Sequence, residues 1–277
     1  MDTTFIIQGP LCRETTKAIN IYKNFGKVIV SHWNTDPPSM IQEVYDACKN
    51  IVTNPLIIDN SYNYQNIKLH LQSTLAGLKE CKTKFAIKVR SDEYFTNPQP
   101  LIDAVRHNPK KLTVTNFLFR SDVIMHPSDH VFASNTKDME AFIELCLDFI
   151  SGYRANQTVK IESLGLSKDY AWHILVSEAI FYINWMKLKG VDAISLFSGK
   201  PLLDIEHNYR KTLKHHFNLV RASEIGNVLF RFQGAGAFCK SAYTSEEEFF
   251  NNDTIVNNSI KSFDDIQIPA LRDSEYE

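Results

Sequence analysis

Short apolar runs alternate with amphipathic stretches through the first half of the chain. The runs predict β-strands at residues 3–9, 27–33, 55–60, 85–89 and 111–117. Between them, apolar positions recur with the helical period and predict α-helices at residues 13–25, 40–50, 66–79 and 98–107. Strands that alternate with helices of this length indicate an α/β fold, with a mainly parallel, Rossmann-type sheet flanked by helices.

The second half of the chain has a less regular pattern. It predicts a short strand at residues 130–135, a helix at 137–150 and a polar loop at 151–166. The most apolar helix of the chain is predicted at residues 168–190. Beyond it, strand-like pieces such as LFRFQGAGAFC follow an aromatic and histidine-rich stretch at residues 205–219.

No internal repeat, low-complexity segment or linker divides the chain. We therefore expect one domain over residues 1–277, with a regular part at 1–120 and a less regular part at 121–263. The end, 264–277, is acidic and poor in apolar residues, so we expect it to be loose or ordered by a partner.

Polar side chains follow four successive predicted strands. They belong to Gln8-Gly9-Pro10, His32-Trp33-Asn34, Asp59-Asn60 and Arg90-Ser91-Asp92-Glu93. Right-handed crossovers bring the carboxyl ends of parallel strands to one edge of the sheet, where open α/β sheets bind ligands. One polar strand end is usually a plain turn, but four in succession favour a binding site.

The composition narrows the class of ligand and the compartment. A formal net charge of −2 over 277 residues gives no basic face for duplex nucleic acid. Five cysteines without a CxxC pair indicate reduced thiols rather than disulfides or a zinc site. The sequence shows no signal peptide and no apolar run long enough for a transmembrane segment. We therefore expect a cytoplasmic protein.

Several common phosphate-binding and hydrolase motifs are missing from the sequence. The first strand ends in QGPLCRE, which is not GxGxxG, and neither GxxxxGK[ST], GxSxG nor HExxH occurs. A sheet that binds a phosphorylated ligand without a glycine loop needs another source of positive charge. A divalent cation held by carboxylates is the usual one, and Asp92, at a rigid strand end, suits that task.

Three stretches together resemble a known family. FAIKVRSDEYF, the upstream NIKLHLQSTLAGLKEC and the downstream HPSDHVFASNTKDMEAF are similar to the WavE lipopolysaccharide-synthesis family. Ser31-His32-Trp33 and Ser177-Glu178 resemble two further family segments. The resemblance implies a GT-A-like glycosyltransferase, whose nucleotide-sugar-binding half would be residues 1–120 and whose acceptor-side half would be 121–263.

The resemblance also implies partners and site residues. The donor would be a nucleotide sugar and the acceptor a glycan or glycolipid, so the protein could lie at the periphery of the membrane that carries the acceptor. Mn²⁺ or Mg²⁺ would assist, with Asp92 and Glu93 as metal ligands, although Arg90 stands where the usual Asp-x-Asp motif has its first acid. The expected donor-binding residues are Gln8, Gly9, Pro10, His32, Trp33, Asp59, Asn66, His70, Arg90 and Ser91.

Glu178 is the expected catalytic base, acting beside Asp92. It lies in DYAWHILVSEAIFYINWM, whose apolar residues predict burial and therefore a raised carboxyl pKa. The alternative is that Glu178 pairs with a structural arginine or caps a neighbouring loop. Histidines offer further metal ligands or plain local hydrogen bonds, and the spacing does not decide between these for His126 and His130 around Asp129, or for His207, His215 and His216.

Two other functions remain open at this point. The protein could be a catalytically inactive glycan- or nucleotide-binding relative, because the first acid of the motif is replaced by Arg90. It could also be a nucleotidyltransferase, which would share the sheet, but that class normally has a glycine-rich basic first loop and QGPLCRE lacks the glycines.

Overall fold

The structure is a computed structural model, and it describes residues 1–57, 66–116, 125–153, 177–197, 200, 202–229 and 262–265. The strands are β1 Thr3–Gln8, β2 Lys27–Trp33, β3 Ile51–Asn54, β4 Phe85–Arg90, β5 Glu93–Phe95, β6 Leu112–Thr115, β7 Phe132–Asn135, β8 Phe217–Val220 and β9 Asn227–Leu229. The helices are α1 Thr15–Tyr22, α2 Pro38–Ala47, α3 Ile67–Lys79, α4 Gln99–His107, α5 Thr136–Ser151, α6 Ser177–Leu188, α7 Ala193–Phe197, α8 Leu202–His216 and α9 Ala222–Ile225, with a 3-10 turn at Phe263–Asp265.

Seven strands form one mixed sheet in the order β3-β2-β1-β4-β7-β6-β8. The pairs β3–β2, β2–β1, β1–β4 and β6–β8 are parallel, whereas β7 runs antiparallel between β4 and β6. The predicted α/β class with a mainly parallel sheet flanked by helices is therefore confirmed. The carboxyl ends of β1, β2 and β4 lie side by side at one edge.

Both faces of the sheet are covered by apolar side chains. Ala86 of β4 packs into one core with Leu71 of α3 and Phe181 of α6. Phe85 and Ile87 of the same strand pack on the opposite face, in a second core that includes residues of α1 and α4. A strand buried on both faces is a continuous apolar run, which explains why the central strands were readable from the sequence.

The third strand lies earlier in the chain than the sequence predicted. It spans Ile51–Asn54, and residues 55–57 have no regular structure, so the prediction of a strand at 55–60 is wrong for its described part. Pro55 explains the shift, because proline has no N–H to donate to the neighbouring strand. Residues 58–60 lie outside the described residues.

The second half contains elements that the sequence pattern left unassigned. Much of the aromatic and histidine-rich stretch forms α8, which ends at His216 and continues directly into β8. A small antiparallel sheet pairs β5 with β9. The predicted helix at 168–190 is described only from Ser177 onwards, and of the strand-like run at 229–239 only Leu229 is described. Within the described residues, no helix combines the length and apolar character needed to cross a bilayer.

Candidate active site

A cleft with a volume of about 450 Å³ opens at the carboxyl ends of β1, β2 and β4. The beginning of α3, the loop before β7 and the beginning of α6 complete its wall. Ten of its sixteen lining residues are polar or charged. The lining consists of Gln8, Gly9, Pro10, Trp33, Thr35, Asp36, Leu56, Asn66, Ile67, Leu69, His70, Arg90, Ser91, Asp92, Asp129 and Ser177.

The ends of β1 and β4 are joined closely at the floor of the cleft. Ser91 Oγ, just after β4, donates a hydrogen bond to the Pro10 carbonyl oxygen, just after β1, at 2.6 Å. The last residue of β1, Gln8, is also held by α3, because its Oε1 accepts a hydrogen bond from Ser73 Oγ at 2.9 Å. Gly9 has a φ of +120°, and a Cβ there would lie 2.8 Å from Ser91 Oγ. Glycine is therefore required both by its backbone conformation and by the close approach of Ser91.

His32 lies beneath the cleft rather than in its wall. Its ring is buried between Asp36 Oδ2, 3.1 Å from Nδ1, and Thr53 Oγ1, 3.0 Å from Nε2. The same Asp36 oxygen accepts the Trp33 backbone N–H at 3.1 Å. His32 therefore orients Asp36, which lines the cleft in its place and which sequence reasoning missed.

Arg90 and Asp92 form a two-pronged ion pair in the cleft. Arg90 Nε lies 2.8 Å from Asp92 Oδ1, and Nη2 lies 2.7 Å from Oδ2. Burial alone would raise the pKa of Asp92, but the charge and hydrogen bonds of Arg90 bring that pKa below its usual value. Asp92 is therefore ionised at neutral pH, with both oxygens bound to the guanidinium.

The predicted metal ligands do not form a cation site as they are arranged. Asp92 has each oxygen on Arg90, and Glu93 does not line the cleft: it is buried, with Oε2 3.1 Å from His130 Nδ1. No group of three or more His, Cys, Asp or Glu residues suited to a metal occurs in the described part of the chain. The residues present thus do not fit a divalent ion without rearrangement, and metal dependence stays a prediction.

A buried lysine holds the loop before β7 against the cleft. Lys88 Nζ donates hydrogen bonds to the carbonyl oxygens of Asp129, at 2.8 Å, and His130, at 3.2 Å. Burial lowers the pKa of Lys88 to about 7, in spite of the opposing charge of Asp129. The loop that carries Asp129 is thus held in place by the side-chain amine of Lys88, a residue of β4.

Asp129 brings a further carboxylate into the cleft wall. His130 Nε2 lies 3.8 Å from Asp129 Oδ1, while Nδ1 of the same ring lies against Glu93. Burial alone would raise the pKa of Asp129, but His130, Lys88, His70 and Arg90 together lower it. The sequence singled out Asp129 only as part of a histidine cluster.

His70 and Asn66 reach the cleft from the start of α3. His70 Nε2 is buried and makes no hydrogen bond within the described residues, and burial followed by the Lys88 charge lowers the pKa of the ring well below its ordinary value. The ring meets Phe181 edge-on, with centroids 5.5 Å apart. His70 is therefore a neutral group, and Asn66 precedes the helix in a left-handed conformation, with φ 61°.

Glu178 lies in the first turn of α6, next to the cleft residue Ser177. Its carboxylate accepts a hydrogen bond from Ser177 Oγ at 3.0 Å and lies 3.6 Å from His126 Nε2. Burial, followed by repulsion from Asp129, raises the pKa of Glu178 to about 7, in the direction that its apolar neighbours predict. The arginine partner of the alternative interpretation is not found among the described residues, where His126 stands in that position.

The structure brings most of the predicted donor-binding residues together. Those that line the cleft are Gln8, Gly9, Pro10, Trp33, Asn66, His70, Arg90 and Ser91, along with Asp92. His32, Glu93 and Glu178 are not among the lining residues, and Asp59 falls outside the described residues. His207, His215 and His216 belong to α8 and do not contribute to the cleft wall.

A family model supports the resemblance of the individual motifs. The model for WavE lipopolysaccharide synthesis matches residues 3–253, nearly the whole chain. The chain belongs to the WavE lipopolysaccharide synthesis family. Membership supports a role in lipopolysaccharide synthesis for this WavE family protein.

Solved structures show a weaker likeness to the WavE family chain. HddC from Yersinia pseudotuberculosis, in a structure described as a complex with GMP-PN, matches with a TM-score of 0.35 and 10% identity, over 50% of this chain and 79% of that one. TarS from S. aureus matches with a TM-score of 0.39 and 12% identity, over 78% of this chain and 44% of that one. No curated protein matches the sequence. Likeness at this level transfers no function.

Proposed function

We propose that this WavE family protein is a nucleotide-sugar-dependent glycosyltransferase with a GT-A-like donor site. The donor lies in the cleft, and the sugar passes to a hydroxyl group of a glycan or glycolipid such as lipopolysaccharide. The observation that supports this proposal most is the charge pattern of the cleft. Arg90, a fixed cation, lines the cleft, and Ser177, another lining residue, adjoins Glu178, a carboxylate with a raised pKa.

Arg90 is the proposed ligand of the donor diphosphate. Two of its N–H groups bind Asp92, and the remaining guanidinium donors make no hydrogen bond within the described residues. A guanidinium matches phosphate oxygens in charge and geometry, and Asp92 holds it in one orientation. Polar groups from the ends of β1 and β2 would meet the nucleoside. Mn²⁺ or Mg²⁺ remains a proposal for the diphosphate, and it would require Asp92 to release Arg90.

Glu178 is the proposed base. In the transfer step, the acceptor hydroxyl oxygen bonds to the anomeric carbon, and the bond from that carbon to the diphosphate oxygen breaks. Glu178 takes the hydroxyl proton, and Arg90 stabilises the charge on the departing phosphate. A carboxylate with a pKa of about 7 is well suited to this task, because it is a stronger base than an ordinary glutamate and is still substantially ionised at neutral pH.

The test is an assay of hydrolysis or transfer with UDP-, GDP- and CMP-sugars, with and without Mn²⁺. We expect turnover of at least one donor, at a rate that rises as the pH increases through about 7, where Glu178 ionises. Glu178→Gln should reduce the rate by roughly 10²-fold or more, as is typical for loss of a general base. Asp92→Asn should also reduce it, because Arg90 loses its charged partner.

Two exposed residues provide matched controls. Glu43→Gln on α2 and Asp103→Asn on α4 make the same chemical changes away from the cleft and should leave turnover unchanged. If no donor binds or reacts, the transferase proposal is wrong. If donors react and both Glu178→Gln and Asp92→Asn match the controls, the transferase stands and the residue roles are wrong.

A further inference from the structure

Asp129 differs from Asp92 in what its carboxylate is bound to. Both oxygens of Asp92 are occupied by Arg90. Neither oxygen of Asp129 makes a hydrogen bond within the described residues, and the closest ring nitrogen is His130 Nε2, which lies 3.8 Å from Oδ1. Asp129 nevertheless lines the cleft with 16% of its side chain exposed. Of these two carboxylates, it is therefore the one with oxygens to offer a ligand.

Buried groups fix the position of this carboxylate from behind. Glu93, whose side chain is fully buried, binds His130 Nδ1 at 3.1 Å and thereby sets the direction of the ring toward Asp129. Lys88 ties down the backbone of the same two loop residues through their carbonyl oxygens. Burying a carboxylate, an imidazole and an amine is costly unless each finds a partner, so the arrangement is specific.

A purely structural network would not need its last member in the wall of a cleft. Here the three side chains form a series from the interior to the cleft. Glu93 and His130 are buried, and Asp129 belongs to the cleft lining. Oriented pairs of this kind are how buried residues hold a functional group in one position.

The residues that line the cleft with Asp129 indicate which part of a ligand it would meet. It lines the cleft together with Arg90, the proposed diphosphate ligand, and with Ser177, the neighbour of the proposed base. It also lies near enough to both Arg90 and Glu178 for its charge to contribute to their pKa shifts. In a nucleotide sugar, the group between the diphosphate and the acceptor hydroxyl is the donor sugar itself. Sugar hydroxyl groups donate hydrogen bonds, and an ionised carboxylate accepts them strongly.

We propose that Asp129 is the carboxylate that binds the hydroxyl groups of the donor sugar, and that Glu93 and His130 are its positioning residues. The inference rests on the proposed function, because it requires a nucleotide-sugar donor in this cleft. It adds a residue that discriminates the sugar from the free nucleotide, a task that neither Arg90 nor Glu178 performs.

The test compares sugar and nucleotide binding in the same protein. Among UDP-, GDP- and CMP-sugars, the one that raises the unfolding temperature of the full chain most is chosen, and its Kd is measured beside that of its own free nucleotide. Asp129→Asn should weaken nucleotide-sugar binding about tenfold or more, the usual result of losing a hydrogen bond to a charged group. Binding of the free nucleotide should change by less than about twofold, within the scatter of independent sites.

The positioning residues are tested by combination. Glu93→Gln keeps the shape of the side chain and removes its charge, so it should weaken binding of the sugar nucleotide selectively, by less than Asp129→Asn does. The double variant should be no weaker than Asp129→Asn alone, because Glu93 acts through Asp129. Asp103→Asn, on the exposed face of α4, is the matched control for the Asp129 change, and the unliganded unfolding temperature of each variant shows whether it folds.

Each outcome has one meaning. If no nucleotide sugar or nucleotide binds the unaltered chain, the proposed function is wrong and this inference falls with it. If donors bind and Asp129→Asn affects sugar nucleotide and nucleotide equally, or neither, the inference alone is wrong. If Asp129→Asn does not fold, Glu93→Gln decides: equal weakening of both ligands, or of neither, overturns the proposal.

Discussion

At the scale of single residues, the most consequential contact is the pair between Arg90 and Asp92. An acidic residue at a strand end would ordinarily be a metal ligand in a site of this kind, but here it orients a guanidinium by 2.7 and 2.8 Å bonds. The cation proposed to bind the diphosphate is thus part of the chain. Its fixed orientation depends on the planar guanidinium group of Arg90 and on the two parallel hydrogen bonds to Asp92, which among side chains only arginine makes.

Arg90→Lys therefore tests whether nucleoside diphosphate affinity depends on the planar geometry of the guanidinium or only on its positive charge. Lysine keeps the charge but cannot bind both Asp92 oxygens in one plane, so we expect nucleoside diphosphate affinity to fall by about tenfold, the effect of about 1.4 kcal/mol. Isothermal titration with UDP and GDP measures it. Arg106→Lys, in a half-exposed pair with Asp2, is the matched control and should bind normally. Equal affinity in both variants would show that a point charge at residue 90 is enough.

The residues that the sequence did not reveal share one property. Asp36 and Asp129 both reach the cleft through loops. Asp36 is held by its near neighbours His32 and Trp33, whereas the network behind Asp129 joins residues distant in the chain: Glu93 and His130 are 37 positions apart, and Lys88 and Asp129 are 41 apart. A strand end such as Arg90-Ser91-Asp92 is visible in a sequence, because a buried apolar run stops there. A loop carboxylate has no such local signal.

At the scale of elements, the close junction of β1 and β4 determines the shape of the cleft floor. Pro10 and Ser91 are bonded across it, and Gly9 between them adopts a φ that other residues rarely take. The turn after β1 was predicted from Gly9-Pro10, whereas the contact with Ser91 requires the β1–β4 pairing. That pairing is not local, since it joins residues about eighty positions apart.

Gly9→Ala should distort this junction. The new methyl group would lie 2.8 Å from Ser91 Oγ in a backbone conformation that is already unfavourable for alanine, and we expect a loss of about 1–3 kcal/mol in the free energy of unfolding together with weaker nucleotide binding. Urea denaturation and nucleotide titration measure the two effects.

Gly190→Ala is the matched control for Gly9→Ala. Gly190 also has a positive φ, +75°, but a Cβ there has nothing within 4 Å. The Gly190→Ala variant should lose some folding stability and bind nucleotide normally. If the two variants are equally stable and bind equally well, the contact with Ser91 has no role in shaping the cleft.

At the scale of the whole molecule, the sequence predicted the fold class and the edge that forms the cleft, since both follow from alternating periodicity and right-handed crossovers. It predicted a short strand at 130–135, where β7 lies, but not that this strand enters antiparallel between β4 and β6 and brings the Asp129 loop against Lys88. Which strand inserts where is set by contacts over the entire sheet, and no short pattern near Phe132 encodes it.

The buried ionisable groups give the stability of the molecule a characteristic dependence on pH. The pKa values of Asp92 and Asp129 are lowered by folding, so their contribution is present above their ordinary pKa and is lost as the pH falls below it. The pKa of Lys88 is lowered to about 7 from 10.5, so the unfolded chain holds a proton that the folded chain has released, and stability rises with pH across that interval.

The effect of Glu178 on the pH dependence of stability has the opposite sign to that of Lys88, and replacing Glu178 isolates it. Its pKa rises from 4.5 to about 7 on folding, so the folded chain keeps a proton that the unfolded chain has lost, and stability falls as the pH increases between those values. Glu178→Gln removes this loss. Relative to the unaltered chain, the variant should therefore gain stability between pH 4.5 and 7, by at most about 3.5 kcal/mol at 1.4 kcal/mol per pKa unit. Thermal and urea unfolding from pH 4 to 9 measure the difference, with Glu43→Gln as the exposed control that should show none. A difference that is constant with pH would mean that folding does not change the pKa of Glu178, so that neither burial nor the charge of Asp129 raises it.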